Sequence, residues 1–151
     1  MDRLHRLDTI FYENPVYFIT TCTAERGPIL SNATVHDAFR TFCQNATGHG
    51  VLVGRYVLMP DHVHLFVCIL PGEMTLSKWI KSLKNSLSKQ LREQGHRAPH
   101  WQKGYFDHLL RDYESEAEKW FYVRQNPVRA GLSASPEEWA FAGEIHPFVQ
   151  R

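Results

Sequence analysis

Hydrophobic and polar positions along the chain change period several times, and each change marks an element. Val16–Thr23 (VYFITTCT) is rich in β-branched and aromatic residues and reads as a strand. Gly27-Pro28 marks the loop that follows. Ser31 or Asn32 can cap a helix running to about Thr47. Its apolar positions Val35, Ala38, Phe39, Phe42, Cys43 and Ala46 fall on one helical face, and Gly48 and Gly50 stop it. Val51–Leu58 and His62–Leu70 are two further strands joined by the turn Met59-Pro60-Asp61. The second is apolar on both faces apart from its histidines, as a central strand would be.

Leu76–Gln94 is a long helix with Leu76, Trp79, Ile80, Leu83, Leu87 and Leu91 on one stripe. Gly95–His100 is a loop, and the aromatic stretch Trp101–Leu110 is consistent with a short strand. Ser115-Glu116-Ala117-Glu118 is a capping box opening a helix to about Asn126, which Pro127 brings to an end. Residues 132–151 read as a short irregular tail. The order β-α-β-β-α-β predicts an α+β fold, a ferredoxin-like antiparallel sheet with one additional C-terminal helix.

Composition narrows the class. At 151 residues, 43% hydrophobic, the chain suits a single domain spanning 1–151. No apolar run approaches a membrane span, and the start (MDRLHR) does not resemble a signal peptide. Cys22, Cys43 and Cys68 are odd in number and widely spaced, which fits free thiols in a reducing compartment and excludes a zinc knuckle. These features predict a cytoplasmic protein with no membrane partner.

Charge changes the picture once its position is considered. The formal total is +1, which by itself argues against a nucleic-acid partner. Residues 78–111, however, carry eight Lys and Arg against two acids, or +6, while the remainder carries nine against fourteen, or −5. Lys78, Lys81, Lys84 and Lys89 avoid the apolar stripe and face water. They form either an ordinary solvated face or a phosphate-contacting ridge.

Two constellations carry chemistry. In His62-Val63-His64, residues i and i+2 of a strand share a face, so both imidazoles project together while Val63 packs the other way. Burial favours their neutral form, which can ligate a metal; a pair of core histidines is the alternative. Tyr122 and Asn126 lie four apart on a helix and share a face. A tyrosine hydroxyl can act as a nucleophile, and an amide oxygen is a hard neutral ligand suited to Mg²⁺ or Mn²⁺. Packing of the tyrosine on the sheet, with the asparagine at a helix end, is again the alternative.

The strand segment MPDHVHLF (59–66), the block WQKGYFDHLLR (101–111) and the helix segment YVRQNPVRAG (122–131) together resemble the single-tyrosine HUH transposases, and in particular the branch called REP-associated tyrosine transposases. The resemblance covers about residues 10–135. It implies that His62 and His64 bind a divalent metal, Mg²⁺ or Mn²⁺, that Asn126 completes the protein ligands, and that Tyr122 is the nucleophile. Tyr105 and Tyr113 rank below Tyr122, because neither has a ligand four residues later on the same helical face. The implied reaction is cleavage and strand transfer on single-stranded DNA bearing a hairpin, through a 5′-phosphotyrosine link, without ATP or an organic cofactor. Lys78, Lys81, Lys84, Arg111 and Arg129 are the expected DNA contacts, with structural pairing to acids such as Asp107 or Glu118 the alternative for the two arginines; Trp101, Tyr105 and Phe106 are candidates for stacking on bases or else core residues. A monomer or a homodimer fits the family. Two other readings use the same residues differently: a phosphohydrolase working through activated water, and a non-catalytic ferredoxin-like nucleic-acid-binding module.

Overall fold

The computed structural model describes residues 15–111 and 114–148. Tyr113 lies outside the described residues. The elements run β1 (Val16–Cys22), α1 (Ala33–Asn45), β2 (Val51–Met59), β3 (His62–Ile69), α2 (Leu76–Glu93), β4 (Phe106–Leu109), α3 (Glu116–Val123), α4 (Asn126–Arg129) and β5 (Ala142–Glu144). They build one antiparallel sheet in the order β4-β1-β3-β2-β5. The first four strands stand in the ferredoxin-like arrangement.

The predicted helix starts are set by side chains. Asn32 accepts a hydrogen bond from the Val35 amide, Thr75 from Lys78 and Ser115 from Glu118, each satisfying an N–H that a helix start leaves unpaired. Helices α1 and α2 cover one face of the sheet. Their stripes, including Phe39, Trp79, Leu83 and Leu87, bury against Ile19, Val63, Leu65 and Val67. Helix α3 covers the other face, where Val123 and Trp120 pack with Val57, Met59 and Phe18. The strand period thus sends Val63 into the two-helix core and the flanking histidines to the α3 side. All three cysteines are buried free thiols.

Two expectations are corrected. Helix α3 ends at Val123 rather than reaching Asn126. Pro127 has no N–H to give the Val123 carbonyl, so the ladder breaks there. Arg124 and Gln125 keep right-handed dihedrals, and Asn126 opens the short helix α4 with Pro127 in its first turn. The tail, expected to be irregular, also carries a short strand. Ala142–Glu144 pairs with β2 as a fifth strand, and the Trp139 indole N–H donates to the Leu58 carbonyl at 3.0 Å.

Candidate active site

Strand register places the histidines. His64 stands between Thr20 of β1 and Val57 of β2, and His62 between Cys22 and Met59. Directly paired residues share a face, so Thr20 can reach the ring of His64. The Thr20 hydroxyl lies 2.8 Å from His64 Nδ1. Phe18 stacks on the same ring, with centroids 5.2 Å apart and planes 22° apart. The two imidazoles meet edge to face at 4.7 Å.

His62 is held by its neighbour. Its Nδ1 lies 2.7 Å from Asp61 Oδ1, while Arg26 Nη2 approaches the same nitrogen at 3.3 Å. The two contacts ask for opposite tautomers. The shorter one, to a carboxylate, decides that Nδ1 carries the proton and donates it. Arg26 Nε donates to the other Asp61 oxygen at 2.8 Å. Burial raises the Asp61 carboxyl, but hydrogen bonds from Arg26 and His62 outweigh it and leave the group below the usual carboxylate range. Arg26 reaches this position from a turn in which Glu25 and Arg26 both adopt left-handed backbone, at φ 54° and 55°. Such a conformation costs a non-glycine residue about 1–2 kcal/mol.

Both histidines therefore engage Nδ1 with a second residue and leave Nε2 without a hydrogen-bond partner among the described residues. That is how metal-ligating histidines are held. Burial, then the neighbouring His62, Arg129 and Arg26, lower the His64 pKa to about 3, so its imidazole is neutral at physiological pH.

Opposite the histidines, α3 presents Tyr122. A cavity of about 640 Å³ is lined by His64 and Phe18 from the sheet and by Glu118, Lys119, Tyr122 and Asn126 from the helices. The same-face placement of Tyr122 and Asn126 survives the break at Pro127. Tyr122 is 69% exposed, so its hydroxyl is open to a macromolecular substrate. The first turn of α3 is tied to the sheet by the buried Glu116, which accepts from Arg55 Nη1 at 3.2 Å. Arg55 Nε also contacts Glu144 of β5 at 3.2 Å.

No group of three or more His, Cys, Asp or Glu among the described residues is arranged to hold a metal. Asn126, which the sequence offers as a third ligand, stands on the cavity that His64 lines. Two imidazole nitrogens and a hard amide oxygen make a donor set suited to a divalent cation.

The expected DNA contacts separate. Lys78 and Lys81 are exposed on α2, on the opposite side of the sheet from the histidines. Lys84 does not join them: its ammonium donates to the carbonyls of Gln102 and Gly104, and burial lowers its pKa. Arg111 is exposed, and its amide donates to Glu114 at 3.0 Å. Arg129 is turned onto its own chain. Its guanidinium lies 4.1 Å from the Tyr122 ring centroid, and Nη2 donates to Asn126 Oδ1 at 2.9 Å.

The aromatic candidates separate too. The Trp101 indole N–H donates to Ser88 Oγ at 3.0 Å, and Tyr105 bonds Ser77 at 2.8 Å, both against the two-helix core. Phe106 is 71% exposed and stands in register with Thr20, on the histidine face. Sequence reasoning missed Thr20 and Asp61 as partners of the two histidines. Asp61 was visible as the residue before His62, whereas Thr20 carries no signal until strand register is known.

Comparison with known proteins gives the family. The sequence profile of the family described as "Transposase IS200 like" matches residues 12–125. A Haemophilus influenzae protein assigned as a REP-associated tyrosine transposase is 22% identical over 157 residues, covering 91% of this chain and 88% of that protein. Among solved structures, a REP-associated tyrosine transposase bound to a REP hairpin superposes with a TM-score of 0.67 at 18% identity, over 85% of this chain and 75% of that one. A protein assigned as a transposase from Deinococcus radiodurans superposes with a TM-score of 0.53 at 20% identity, over 74% and 90%. The chain belongs to the IS200-like transposases, a family of DNA-cleaving enzymes.

Proposed function

We propose that this protein is a metal-dependent endonuclease and strand transferase, that it acts on single-stranded DNA next to a hairpin, and that Tyr122 is its nucleophile. The observation that carries the reading is the arrangement of the two imidazoles. Each has Nδ1 engaged, their rings are 4.7 Å apart, and His64 shares a cavity with Tyr122 and Asn126. A Mg²⁺ or Mn²⁺ ion held by His62, His64 and Asn126 would supply Lewis-acid polarisation of the scissile phosphate. Thr20 and Asp61 orient the imidazoles. Tyr122 Oη attacks phosphorus and gives up its proton; the P–O3′ bond breaks, and the departing 3′ oxygen takes up a proton. The resulting 5′-phosphotyrosine keeps the energy of the broken bond, so a second 3′-hydroxyl can reseal it.

For DNA, Lys78, Lys81 and Arg111 are the phosphate contacts we favour, and Phe106 is the base platform. Support comes from continuity around the β4 edge. Tyr105 and Lys84 join the 102–105 loop to α2, and that loop leads directly to Phe106 on the histidine face. The substrate class is supported by the solved relative bound to a REP hairpin.

Incubation with hairpin-bearing single-stranded DNA and Mn²⁺ tests the reading. A covalent adduct on a denaturing gel is expected, abolished by Tyr122→Phe or by chelation. Cleavage that survives Tyr122→Phe would instead indicate hydrolysis by activated water. Binding without cleavage under any metal would indicate a non-catalytic module.

A further inference from the structure

Arg129 has the appearance of a phosphate contact: it is exposed, basic and in the same segment as the candidate nucleophile. Its side chain is nevertheless committed within the chain. Nη2 donates to the backbone carbonyl of Tyr122 at 3.0 Å and to the amide oxygen of Asn126 at 2.9 Å. The guanidinium carbon Cζ lies over the Tyr122 ring, 4.1 Å from its centroid. These contacts span the joint at which α3 gives way to α4, where Pro127 removes the backbone bond that would have tied the two helices together.

We infer that Arg129 is a positioning residue that holds the Tyr122 ring and the Asn126 amide in fixed relation across the α3–α4 joint, rather than a contact to DNA phosphate. The inference rests on the proposed roles of Tyr122 and Asn126. Its chemistry requires arginine specifically. A planar fork can stack on a ring and donate to two oxygens at once; an ammonium carries the same charge but cannot lie flat on the ring while doing so. One lone pair of Asn126 Oδ1 is taken by Arg129, which fixes the amide orientation and leaves the other lone pair for a ligand.

Arg129→Lys and Arg129→Gln decide between the two roles. Saturating hairpin DNA and Mn²⁺ allow the single-turnover rate of adduct formation to be read separately from binding. Both variants should lose roughly 10–100-fold in that rate, as loss of a partner orienting a metal ligand does. DNA affinity, its salt dependence and the melting temperature should stay at wild-type values. Ring-current-shifted Arg129 side-chain resonances should appear in the metal-free, DNA-free protein and disappear in Tyr122→Leu. A wild-type rate for Arg129→Lys overturns the inference, as does weakened binding with a salt slope lower by about 1 in Arg129→Gln. Tyr122→Phe separates the two levels. If it abolishes the adduct while Arg129→Lys reacts normally, the positioning role alone falls. If it still forms the adduct, the nucleophile assignment falls and takes the positioning role with it.

Discussion

The hydroxyl of Thr20 lies 2.8 Å from Nδ1 of His64, across the β1–β3 ladder. This contact decides which nitrogen of the imidazole faces the cavity. Thr20→Val keeps the shape and removes the partner. Mn²⁺ affinity should fall by about 10–100-fold, because a ligand ring without its second hydrogen bond is free to rotate. Calorimetric titration of Mn²⁺ into wild type and variant checks this, and an unchanged affinity would remove Thr20 from the site.

His64 also makes stability depend on pH. Its folded-state pKa is lowered to about 3, against an unfolded value near 6.5. Between those values the unfolded chain binds the extra proton, so stability rises with pH and is lost as pH falls from about 6.5 toward 3. By pH 4 the loss should be of the order of 3 kcal/mol from this residue in the metal-free protein. Urea unfolding at pH 7.5, 5 and 4 should show a shallower decline for His64→Gln than for wild type.

Arg55 neutralises Glu116, whose side chain is only 5% exposed and whose pKa burial raises despite the arginine. Arg55→Ala would strand that carboxyl and should cost about 3–5 kcal/mol. Adding Glu116→Gln should recover part of the loss. A double-mutant cycle by denaturant unfolding measures it, and additive losses would mean that the pair does not couple.

The lysines of α2 should divide by role. Lys78→Ala and Lys81→Ala should each lower the salt slope of hairpin-DNA binding by about 1 and leave the melting temperature unchanged. Lys84→Ala should do the reverse, because its ammonium holds the carbonyls of Gln102 and Gly104. Equal effects of all three on the slope would contradict this division.

The β5 segment should behave as structure. A Cβ at Gly143 would stand 2.9 Å from the Tyr56 hydroxyl and 3.0 Å from Arg40 Nη1. Tyr56 is fully buried and its hydroxyl is held by both His36 and Arg40. Gly143→Ala should therefore destabilise the fold by about 1–3 kcal/mol, read as a lowered urea midpoint.

Legibility in the sequence followed the range of the interaction. The α2 stripe, the cap at Ser115 and the shared face of His62 and His64 depend on residues two to four apart and appear as read, and of Ser31 and Asn32 it is Asn32 that caps α1. Strand β5 was not legible, because Ala-Gly-Glu has no strand preference; it pairs because Arg55 and β2 are there to receive it. The alternation of Trp139 and Phe141 was the available hint. Among the lysines, helical spacing separates water-facing from buried positions but cannot show that Lys84 meets a loop eighteen residues later. The same holds for Arg129, whose contacts to Tyr122 and Asn126 cross the α3–α4 joint.

The sheet ends differently on its two sides. Beyond β2 the border is a three-residue strand, too short to template much further pairing. Beyond β1 the border is β4, four residues long and exposed throughout. A sheet able to recruit strands on both sides could grow without limit, copy upon copy. Among the described residues β4 is the longer border, and pairing through it would use up that surface on each molecule, so association by this route would stop at a pair.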